Sequence, residues 1–313
     1  MKYDIVCSTK NLSTEEWLKM RTIGIGGSDA GIIAGCNPYC SIFELWQEKR
    51  GEIPVKEEES EVIHFGKVLE DVVRKEFIQR TGLMVRKKNS ILRSKEYPFM
   101  IADVDGIISE LDGTYSIFEA KTAIEFKNND WKNGEIPKAY QLQVQHYLAV
   151  TGFQKAYIAV LVGGNKFYWT EVYRDEQLIK MLVSMESHFW HCVREGEEPD
   201  VDASKATSLY LGAKYNNAKV GSVIDLDEQM LSSIEKYEQI KIELDSLTEQ
   251  KRLVENQLKS ALAENEAGRV GGHIVKWKQV VQTRIDSNKL KKEHKEIYDA
   301  CKKEVSYRKF SVA

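Results

Sequence analysis

The sequence feature that most constrains the fold is a change of hydrophobic period near residue 83. Before it, "VIHFGKVLEDVVRKEFIQRTG" at 62–82 repeats apolar residues at helical spacing. After it, successive runs alternate at the period of two that strands require, namely "LMVRKKNSILRS", "FMIADVDGIIS" and "YSIFEAKTA". A helical pattern returns in "IPKAYQLQVQHYLAVTG" at 136–152. Strands enclosed by helices predict an α/β domain with a mixed central sheet flanked by helices.

The rest of the chain completes this domain and predicts a second region after it. "KAYIAVLVGG" and "KFYWTEVYR" indicate a hairpin, and "DEQLIKMLVSMESHFWHCVREG" indicates the helix that closes the domain. From Leu226 to Ala261 the apolar residues follow a 4-3 spacing, which predicts a long coiled-coil-like helix. We therefore expect a domain at 1–203 and a helical C-terminal extension with a basic β/α tail at 204–313. The acidic "PVKEEESE" at 54–61 predicts an exposed linker.

Composition argues against a membrane-spanning or disulfide-stapled protein. No apolar run in the 313 residues reaches the ~18 residues of a membrane span. The five cysteines are odd in number and widely spaced, so we expect a reducing, cytoplasmic environment. The net charge is −3, but residues 269–313 hold twelve Lys/Arg against five Asp/Glu. This basic tail is compatible with phosphate contacts and equally with a solvated lysine-rich helix face.

The run "YSIFEAKTA" carries two charges on an otherwise apolar strand. Glu119 and Lys121 are two residues apart, so their side chains leave the same face. Asp105 lies near the end of the preceding run, and a hairpin through "ELDGT" would bring it close to both. Two carboxylates in a partly buried site repel each other unless a cation neutralises them, and oxygen ligands suit Mg²⁺ or Mn²⁺. The same residues also fit an ordinary ion pair on a strand surface.

Polar residues on neighbouring segments could complete such a site. The small Ala120 can offer its backbone carbonyl as a third oxygen ligand. Glu70 lies on the long helix before the strands, which can lean over the hairpin. Tyr140 and Gln143 lie one turn apart on the helix after the strands, and therefore on one face.

A glycine-rich loop near the N-terminus is the other notable segment. The helix "STEEWLKMR" begins with the capping-box pair Ser13 and Glu16, and "GIGGSDAGIIAG" follows it. Arg21, at the end of the first helix, is by itself a cation that balances the helix dipole. Ser28 or Asp29 could cap the short helix that follows.

Six motifs together resemble a known family. Arg21, "GGSDAG", "FGKVLE", "DVDG", "FEAK" and "AYQLQVQ", in this order and spacing, resemble lambda exonuclease and the YqaJ-type viral recombinase family. The resemblance covers about residues 12–200, and the region after 204 also looks like the C-terminal extension of YqaJ-type proteins. It implies a restriction-endonuclease-like core of the PD-(D/E)xK type, which degrades duplex DNA from 5′ ends with Mg²⁺ and commonly assembles as a trimeric ring.

The resemblance also implies roles for individual residues. By position, Asp105 and Glu119 match the metal-binding carboxylates, with the Ala120 carbonyl beside them, and Lys121 matches the catalytic lysine. Glu70 matches the helix glutamate near the metal or the water, and Tyr140 and Gln143 match the supporting pair on the following helix. Arg21 and Ser28 match the ligands of a terminal 5′-phosphate. A helix N-terminus independently favours that phosphate. Where relatives often have proline before the metal aspartate, this chain has "ADVDG". Asp103 is predicted to lie on the same strand face as Asp105, so either could be the ligand. The glycine after Asp105 fits the family pattern and favours Asp105.

These implications predict a Mg²⁺-dependent 5′→3′ exonuclease on linear double-stranded DNA, with Mn²⁺ as a possible substitute. It would leave 3′ single-stranded tails for phage-type recombination in a bacterial host, encoded by a phage or prophage. The expected partners are duplex DNA ends, further copies of the chain in a homotrimer, and a single-strand annealing protein. Two alternatives stay open: an endonuclease with the same core, and a DNA-binding or scaffolding module without activity. The presence of Asp105, Glu119 and Lys121 favours an enzyme.

Overall fold

The computed structural model describes residues 2–55 and 60–312. The chain forms two compact units, Met1–Tyr215 and Asn216–Ala313. The helix Lys205–Lys214, which a division after residue 203 would assign to the extension, lies in the first unit. The expected linker at 54–61 falls in part on residues 56–59, which lie outside the described residues.

The first unit combines short strands with longer helices. Its strands are β1 (Tyr3–Ser8), β2 (Val85–Arg86), β3 (Ser90–Ser94), β4 (Ile101–Ala102), β5 (Gly106–Ser109), β6 (Tyr115–Ala123), β7 (Lys155–Val162) and β8 (Lys166–Tyr173). Its α-helices are α1 (Thr14–Arg21), α2 (Gly27–Ile33), α3 (Ile42–Arg50), α4 (Glu61–Thr81), α5 (Lys138–Thr151), α6 (Glu176–Glu195) and α7 (Lys205–Lys214). Two short 3-10 segments, Glu125–Asp130 and Lys132–Gly134, follow β6.

Strand β6 lies at the centre of the larger sheet of this unit. Among the described residues the strand orders are β2-β5-β6-β7-β8 and β1-β3-β4. β6 pairs antiparallel with β5 and parallel with β7, and α5 lies in the crossover between β6 and β7. The hairpins predicted for β5–β6 and β7–β8 are confirmed. The predicted class, a mixed central sheet flanked by helices, is confirmed as well.

Two runs that the periodicity treats as single strands are each divided between the two sheets. "LMVRKKNSILRS" gives β2 and β3, and Asn89 between them has a left-handed φ of 35°. "FMIADVDGIIS" gives β4 and β5, with residues 103–105 outside both. The prediction that Asp103 and Asp105 share one strand face is therefore wrong, because strict alternation holds only along a continuous strand.

Helix ends follow the capping residues of the sequence. Ser13 Oγ accepts from the Glu16 N–H at 3.2 Å, and Glu16 Oε2 accepts from the Ser13 N–H at 2.8 Å. Gly152, after α5, has the left-handed φ of 73° that stops a helix. At α2 the N-cap is Gly26 rather than Ser28 or Asp29, and the Asp29 carboxylate accepts from the Gly26 N–H at 2.8 Å.

Helix α2 packs closely on α5 because glycines face it. A Cβ at Gly27 would lie 2.4 Å from the Tyr147 ring, and a Cβ at Gly31 would lie 3.2 Å from the Ala139 Cβ. Val144 and Leu148 of α5 are fully buried in the core that includes β6 and β7. The glycine-rich loop is thereby held beside the helix that covers the central strand.

The second unit contains α8 (Met230–Leu262), β9 (Ala267–Val270), β10 (His273–Lys276), α9 (Ser287–Glu293) and α10 (Lys295–Cys301). α8 confirms the long helix predicted from the 4-3 spacing. β9 and β10 form an antiparallel hairpin. The apolar alternation of "HIVKWKQVVQTRID" at 273–286 predicts one longer strand, but β10 ends at Lys276 and residues 277–286 have no regular structure. Within the described part of the chain, no helix is both long and apolar enough to cross a bilayer.

Gly27→Ala tests the close approach of α2 to α5. The added methyl group would overlap the Tyr147 ring, and forced overpacking of this kind lowers the free energy of unfolding by about 1–3 kcal/mol. Gly66→Ala is the matched control, because Gly66 is also helical and its new Cβ would meet nothing nearer than Thr122 Oγ1 at 3.7 Å. That variant should be neutral or more stable by up to about 1 kcal/mol. Urea unfolding measures both, and equal losses in the two variants would contradict the packing.

Candidate active site

The face of β6 that turns toward α5 carries Glu119 and Lys121. Lys121 Nζ donates to Glu119 Oε1 at 2.7 Å. The side chains of Glu119 and Lys121 are 4% and 17% exposed. The two charges therefore share one strand face, as their spacing predicts, and the pair lies inside the domain rather than on its surface.

Asp105 reaches the same end of β6 from the neighbouring strand. β5 and β6 pair with Gly106 opposite Phe118, so Asp105, one residue earlier, continues the register toward Glu119. Asp105 Oδ2 accepts from the Ala120 N–H at 2.8 Å. Asp103 is engaged differently, because its Oδ2 accepts from Trp17 Nε1 at 2.8 Å.

The pKa shifts describe a cluster with an excess of negative charge. Burial, reinforced by the charge of Glu119, raises the pKa of Asp105 well above its usual value. Burial also raises the pKa of Glu119, although Lys121 offsets part of this effect. Burial alone would lower the pKa of Lys121, but Glu119 and Asp105 outweigh it and raise that pKa. One ammonium group therefore does not balance the carboxylates around it.

Two side chains of α5 hold the charged pair in place. Gln143 Nε2 donates to Glu119 Oε1 at 2.8 Å. The Tyr140 ring centre lies 4.7 Å from Lys121 Nζ, and the ring stacks on Trp131 with 5.5 Å between centroids. Tyr140 and Gln143, one turn apart, thus contact the ammonium and the carboxylate respectively. Trp131 is 4% exposed, so it belongs to the core.

One carboxylate oxygen of this cluster has no partner. Glu119 Oε2 is buried and forms no hydrogen bond within the described residues. A buried carboxylate oxygen without a donor is costly unless a cation binds it, and Asp105 and Glu119 are hard oxygen ligands. The residues therefore fit Mg²⁺ or Mn²⁺. No three His, Cys, Asp or Glu side chains of the described chain converge on one point, so such an ion would also need the Ala120 carbonyl or water.

The cluster opens into a cleft of about 770 Å³. Glu70 of α4 lines this cleft, but its carboxylate lies 3.3 Å from Lys87 Nζ instead of contacting Glu119. Its charge still contributes to the raised pKa values of Asp105 and Glu119. The structure thus places Glu70 beside the cluster and paired with a lysine of the cleft wall.

Arg21 and Ser28 line the same cleft. Arg21 Nη2 donates to Ser28 Oγ at 3.1 Å and to Asp29 Oδ1 at 3.4 Å. The guanidinium carbon lies 5.2 Å from the centre of the Trp17 ring. The two residues that the resemblance assigns to a terminal phosphate are therefore together, and they share an opening with Asp105 and Glu119. Arg21 is also the last residue of α1, so the helix-dipole role applies too.

A buried ion pair that the sequence analysis missed positions Arg21. Lys49 Nζ donates to Asp29 Oδ2 at 2.6 Å and to the carbonyl oxygens of Arg21 and Gly24 at 2.7 and 2.8 Å. Burial alone would raise the pKa of Asp29, but Lys49 and Arg21 outweigh it and lower that pKa. The available signal was the position of Lys49, seven residues after Ile42 and hence on the apolar face of α3.

Backbone bonds tie the glycine-rich loop to the strand that leads to the aspartates. The Ile25 N–H donates to the Phe99 carbonyl at 2.7 Å, and the Ile101 N–H donates to the Ile25 carbonyl at 2.8 Å. His146 Nε2 lies 2.8 Å from the Ile101 carbonyl oxygen, and its Nδ1 lies 2.9 Å from Glu186 Oε1. His146 therefore supports β4 from the core and is not a ligand in the cleft.

Fold and cleft together define the class: an α/β protein whose central strand carries a buried Glu-x-Lys pair beside an aspartate. The family model described as a YqaJ-like viral recombinase domain matches residues 16–154. The relative described as "Uncharacterized protein YqaJ", from Bacillus subtilis (strain 168), is 42% identical over 312 residues, which cover 99% of this chain and 97% of that protein. The chain belongs to the YqaJ-like viral recombinase family.

Two solved structures are similar to a smaller part of this chain than the Bacillus relative is. An alkaline exonuclease from Laribacter hongkongensis is 20% identical, with a TM-score of 0.49 over 58% of this chain and 94% of that one. A phage related exonuclease from Haemophilus somnus 129PT is 15% identical, with a TM-score of 0.41 over 58% of this chain and 100% of that one. The match to the Bacillus relative, by contrast, extends over both units.

Asp29→Asn tests the buried ion pair beneath Arg21. The substitution leaves the Lys49 ammonium buried without its carboxylate, a loss that typically costs about 3–5 kcal/mol of unfolding free energy. Glu76→Gln is the control, because its pair with Arg80 is exposed and worth at most about 1 kcal/mol. Chemical denaturation of both variants compares them. If Asp29→Asn lowers the free energy of unfolding no more than Glu76→Gln does, the Asp29–Lys49 pair does not support the glycine-rich loop.

Proposed function

We propose that this chain is a metal-dependent deoxyribonuclease that degrades linear double-stranded DNA from its 5′ ends. It would leave 3′ single-stranded tails for phage-type recombination in the cytoplasm of a bacterial host. The observation that carries the proposal is the buried Glu119 Oε2, which has no hydrogen-bond partner among the described residues and lies beside Lys121 and near Asp105 at the cleft of about 770 Å³. Family membership and the names of the exonucleases cited above support the same class of reaction.

Asp105, Glu119 and the Ala120 carbonyl would hold a Mg²⁺ ion, with Mn²⁺ as a substitute. When bound, the ion would supply the charge that polarises the scissile phosphate and acidifies a water molecule. The protein side chains contribute position rather than covalent chemistry. Lys121 would donate a hydrogen bond to the attacking water and, together with Glu119, would hold it.

The supporting residues restrict this arrangement. Gln143 shares Glu119 Oε1 with Lys121, so the carboxylate is held by two donors on one oxygen and has the other oxygen available. The Tyr140 ring limits the positions of the Lys121 ammonium from the other side. Glu70, on the cleft wall with Lys87, would lie near the metal or the water.

The 5′ polarity would come from the end of α1 and the first turn of α2. Arg21 and Ser28 would bind the terminal phosphate, because the guanidinium offers charged donors and the serine hydroxyl lies next to it. A homotrimer and a single-strand annealing partner belong to the same proposal, and both derive from the family resemblance. Mass measurement in solution tests the first, and co-purification with an annealing protein of the same recombination system tests the second.

Digestion of linear and covalently closed circular duplexes, with Mg²⁺ or with EDTA, tests the proposed reaction. An exonuclease degrades only the linear DNA and only with the metal. Cleavage of the closed circle would identify an endonuclease with the same core instead. Binding of DNA without hydrolysis of either substrate would identify a module without activity.

Lys121→Ala should abolish hydrolysis while leaving the fold and DNA-end binding largely intact, because the side chain serves the reacting water. The free energy of unfolding should fall, because Glu119 loses its buried cationic partner. Lys155→Ala is the matched control, since this lysine lies on the neighbouring strand β7 and pairs with Glu110 at 3.1 Å. Single-turnover rates compare the two variants. Hydrolysis by Lys121→Ala within a few-fold of the wild type would remove Lys121 from the mechanism.

Asp105→Ala and Glu119→Ala should each remove metal-dependent hydrolysis and weaken Mn²⁺ binding, whereas Asp103→Ala should do neither. The reason is that Asp105 contacts the Ala120 N–H beside Glu119, while Asp103 binds the Trp17 indole. Calorimetric titration with Mn²⁺ gives a readout that does not need turnover. If Asp103→Ala is inactive and Asp105→Ala is active, Asp103 is the metal ligand instead of Asp105.

Arg21→Ala should erase most of a preference for 5′-phosphorylated ends. A charge-assisted contact of about 1.5–3 kcal/mol predicts that phosphorylated ends are digested roughly ten- to a hundredfold faster than 5′-hydroxyl ends. Arg50→Ala is the control, because Arg50 also ends a helix and also lies over a tryptophan, at 5.1 Å from Trp46, but does not line the cleft. Equal rates on both ends in the wild type would rule out end anchoring by phosphate.

A further inference from the structure

The basic segment, residues 269–312 of the second unit, combines positive charge with exposed aromatic rings. It holds twelve Lys/Arg against five Asp/Glu. We propose that this segment is a binding site for single-stranded DNA, in which Trp277, Tyr307 and Phe310 stack on bases while neighbouring lysines contact phosphates. The proposal goes beyond cleavage in the cleft and does not depend on it.

The aromatic side chains of the basic segment lie open to solvent. Trp277 is 52% exposed, Tyr307 80% and Phe310 77%, although Phe310 makes an edge contact with Tyr237 at 5.7 Å. Large aromatic side chains normally gain stability by burial, so three exposed rings on one basic segment are informative. Rings exposed among cations provide the stacking surfaces that proteins use for unpaired bases.

Some cations of the basic segment are held in ion pairs and others are not. Lys289 of α9 pairs with Glu293 at 3.9 Å, and Lys302, just after α10, pairs with Asp299 at 3.0 Å. Lys276 and Lys278, which flank Trp277, and Lys309, next to Phe310, have no carboxylate within 4.0 Å in the described part of the chain. Their charge is therefore available to a phosphate backbone.

The backbone of the segment suits a single strand better than a duplex. Trp277 belongs to residues 277–286, and Tyr307 and Phe310 belong to residues 302–312, two stretches without helix or strand. Aromatic side chains can stack only on bases that are not already stacked within a duplex, whereas lysines alone would bind both forms. A single strand uses both kinds of side chain.

A protein partner is the competing occupant, because Val280, Val281 and Ile285 of the same segment are 74%, 87% and 79% exposed. Such apolar residues could dock on another protein. The excess of seven positive charges over the segment and the unpaired lysines beside the rings favour nucleic acid. The experiment below separates the two.

The test uses the full chain in EDTA and a 3′-fluorescein-labelled oligodeoxythymidine with a 5′-hydroxyl end, followed by fluorescence anisotropy. A blunt duplex with the same ends is measured in parallel. The variants are Trp277→Ala and the pair Lys276→Ala with Lys278→Ala. Tyr39→Ala, an 82% exposed ring of the first unit, and the pair Lys236→Ala with Lys241→Ala, on α8, are the matched controls.

Trp277→Ala should weaken single-strand binding by about five- to a hundredfold and leave duplex binding within twofold. The Lys276 and Lys278 pair should reduce the slope of log K against log[salt] by about 1.4 for the single strand, since each phosphate contact contributes about 0.7. Both controls should match the wild type. Unchanged single-strand affinity in both variants, or an equal loss on the duplex, would overturn the proposal. Loss of binding to a co-purifying protein with single-strand affinity intact would assign the segment to protein docking.

Discussion

The structure depends on a carboxylate that is buried on the central strand. Glu119 lies on β6 between the paired strands β5 and β7 and beneath α5, and only 4% of its side chain is exposed, so little water solvates its charge. Such a group is stable only if donors or cations replace the lost water, and the surroundings supply Lys121 and Gln143 for one oxygen only. Apolar packing holds α5 against β6, and this brings Gln143 to the charge, while the β5–β6 hairpin brings Asp105 beside it.

A second buried charge organises the other side of the cleft. The Asp29 carboxylate accepts hydrogen bonds from Lys49, Arg21 and the Gly26 N–H. This single carboxylate therefore fixes the first turn of α2 and the orientation of the Arg21 guanidinium. Breaking such a set is costly because each remaining charge would be buried without a partner. The cleft is therefore lined by side chains whose positions are set by the core, which suits a site that must orient a phosphate and a water.

Local patterns in the sequence predicted the elements and the pairing of charges well. The i, i+2 spacing placed Glu119 beside Lys121, and the turn "ELDGT" brought Asp105 to the same end of the strand. The interruption between β4 and β5 was not predictable, because hydrophobic alternation does not reveal that a strand changes its sheet. The contact of Lys49 with Asp29 joins α3 to α2, and only tertiary packing decides it. The roles of Glu70, Tyr140, Gln143, Arg21 and Ser28 rest on the resemblance and stay predictions.

The hydrogen bonds that join Ile25 to Phe99 and Ile101 have a consequence for the products of the proposed reaction. They connect the loop that would hold the end of a strand to the segment that leads into Asp105, so neither can move without the other. In the proposed reaction, these bonds would fix the separation between the terminal phosphate and the bond that is cut. Product length would then be set by this backbone connection rather than by the base sequence.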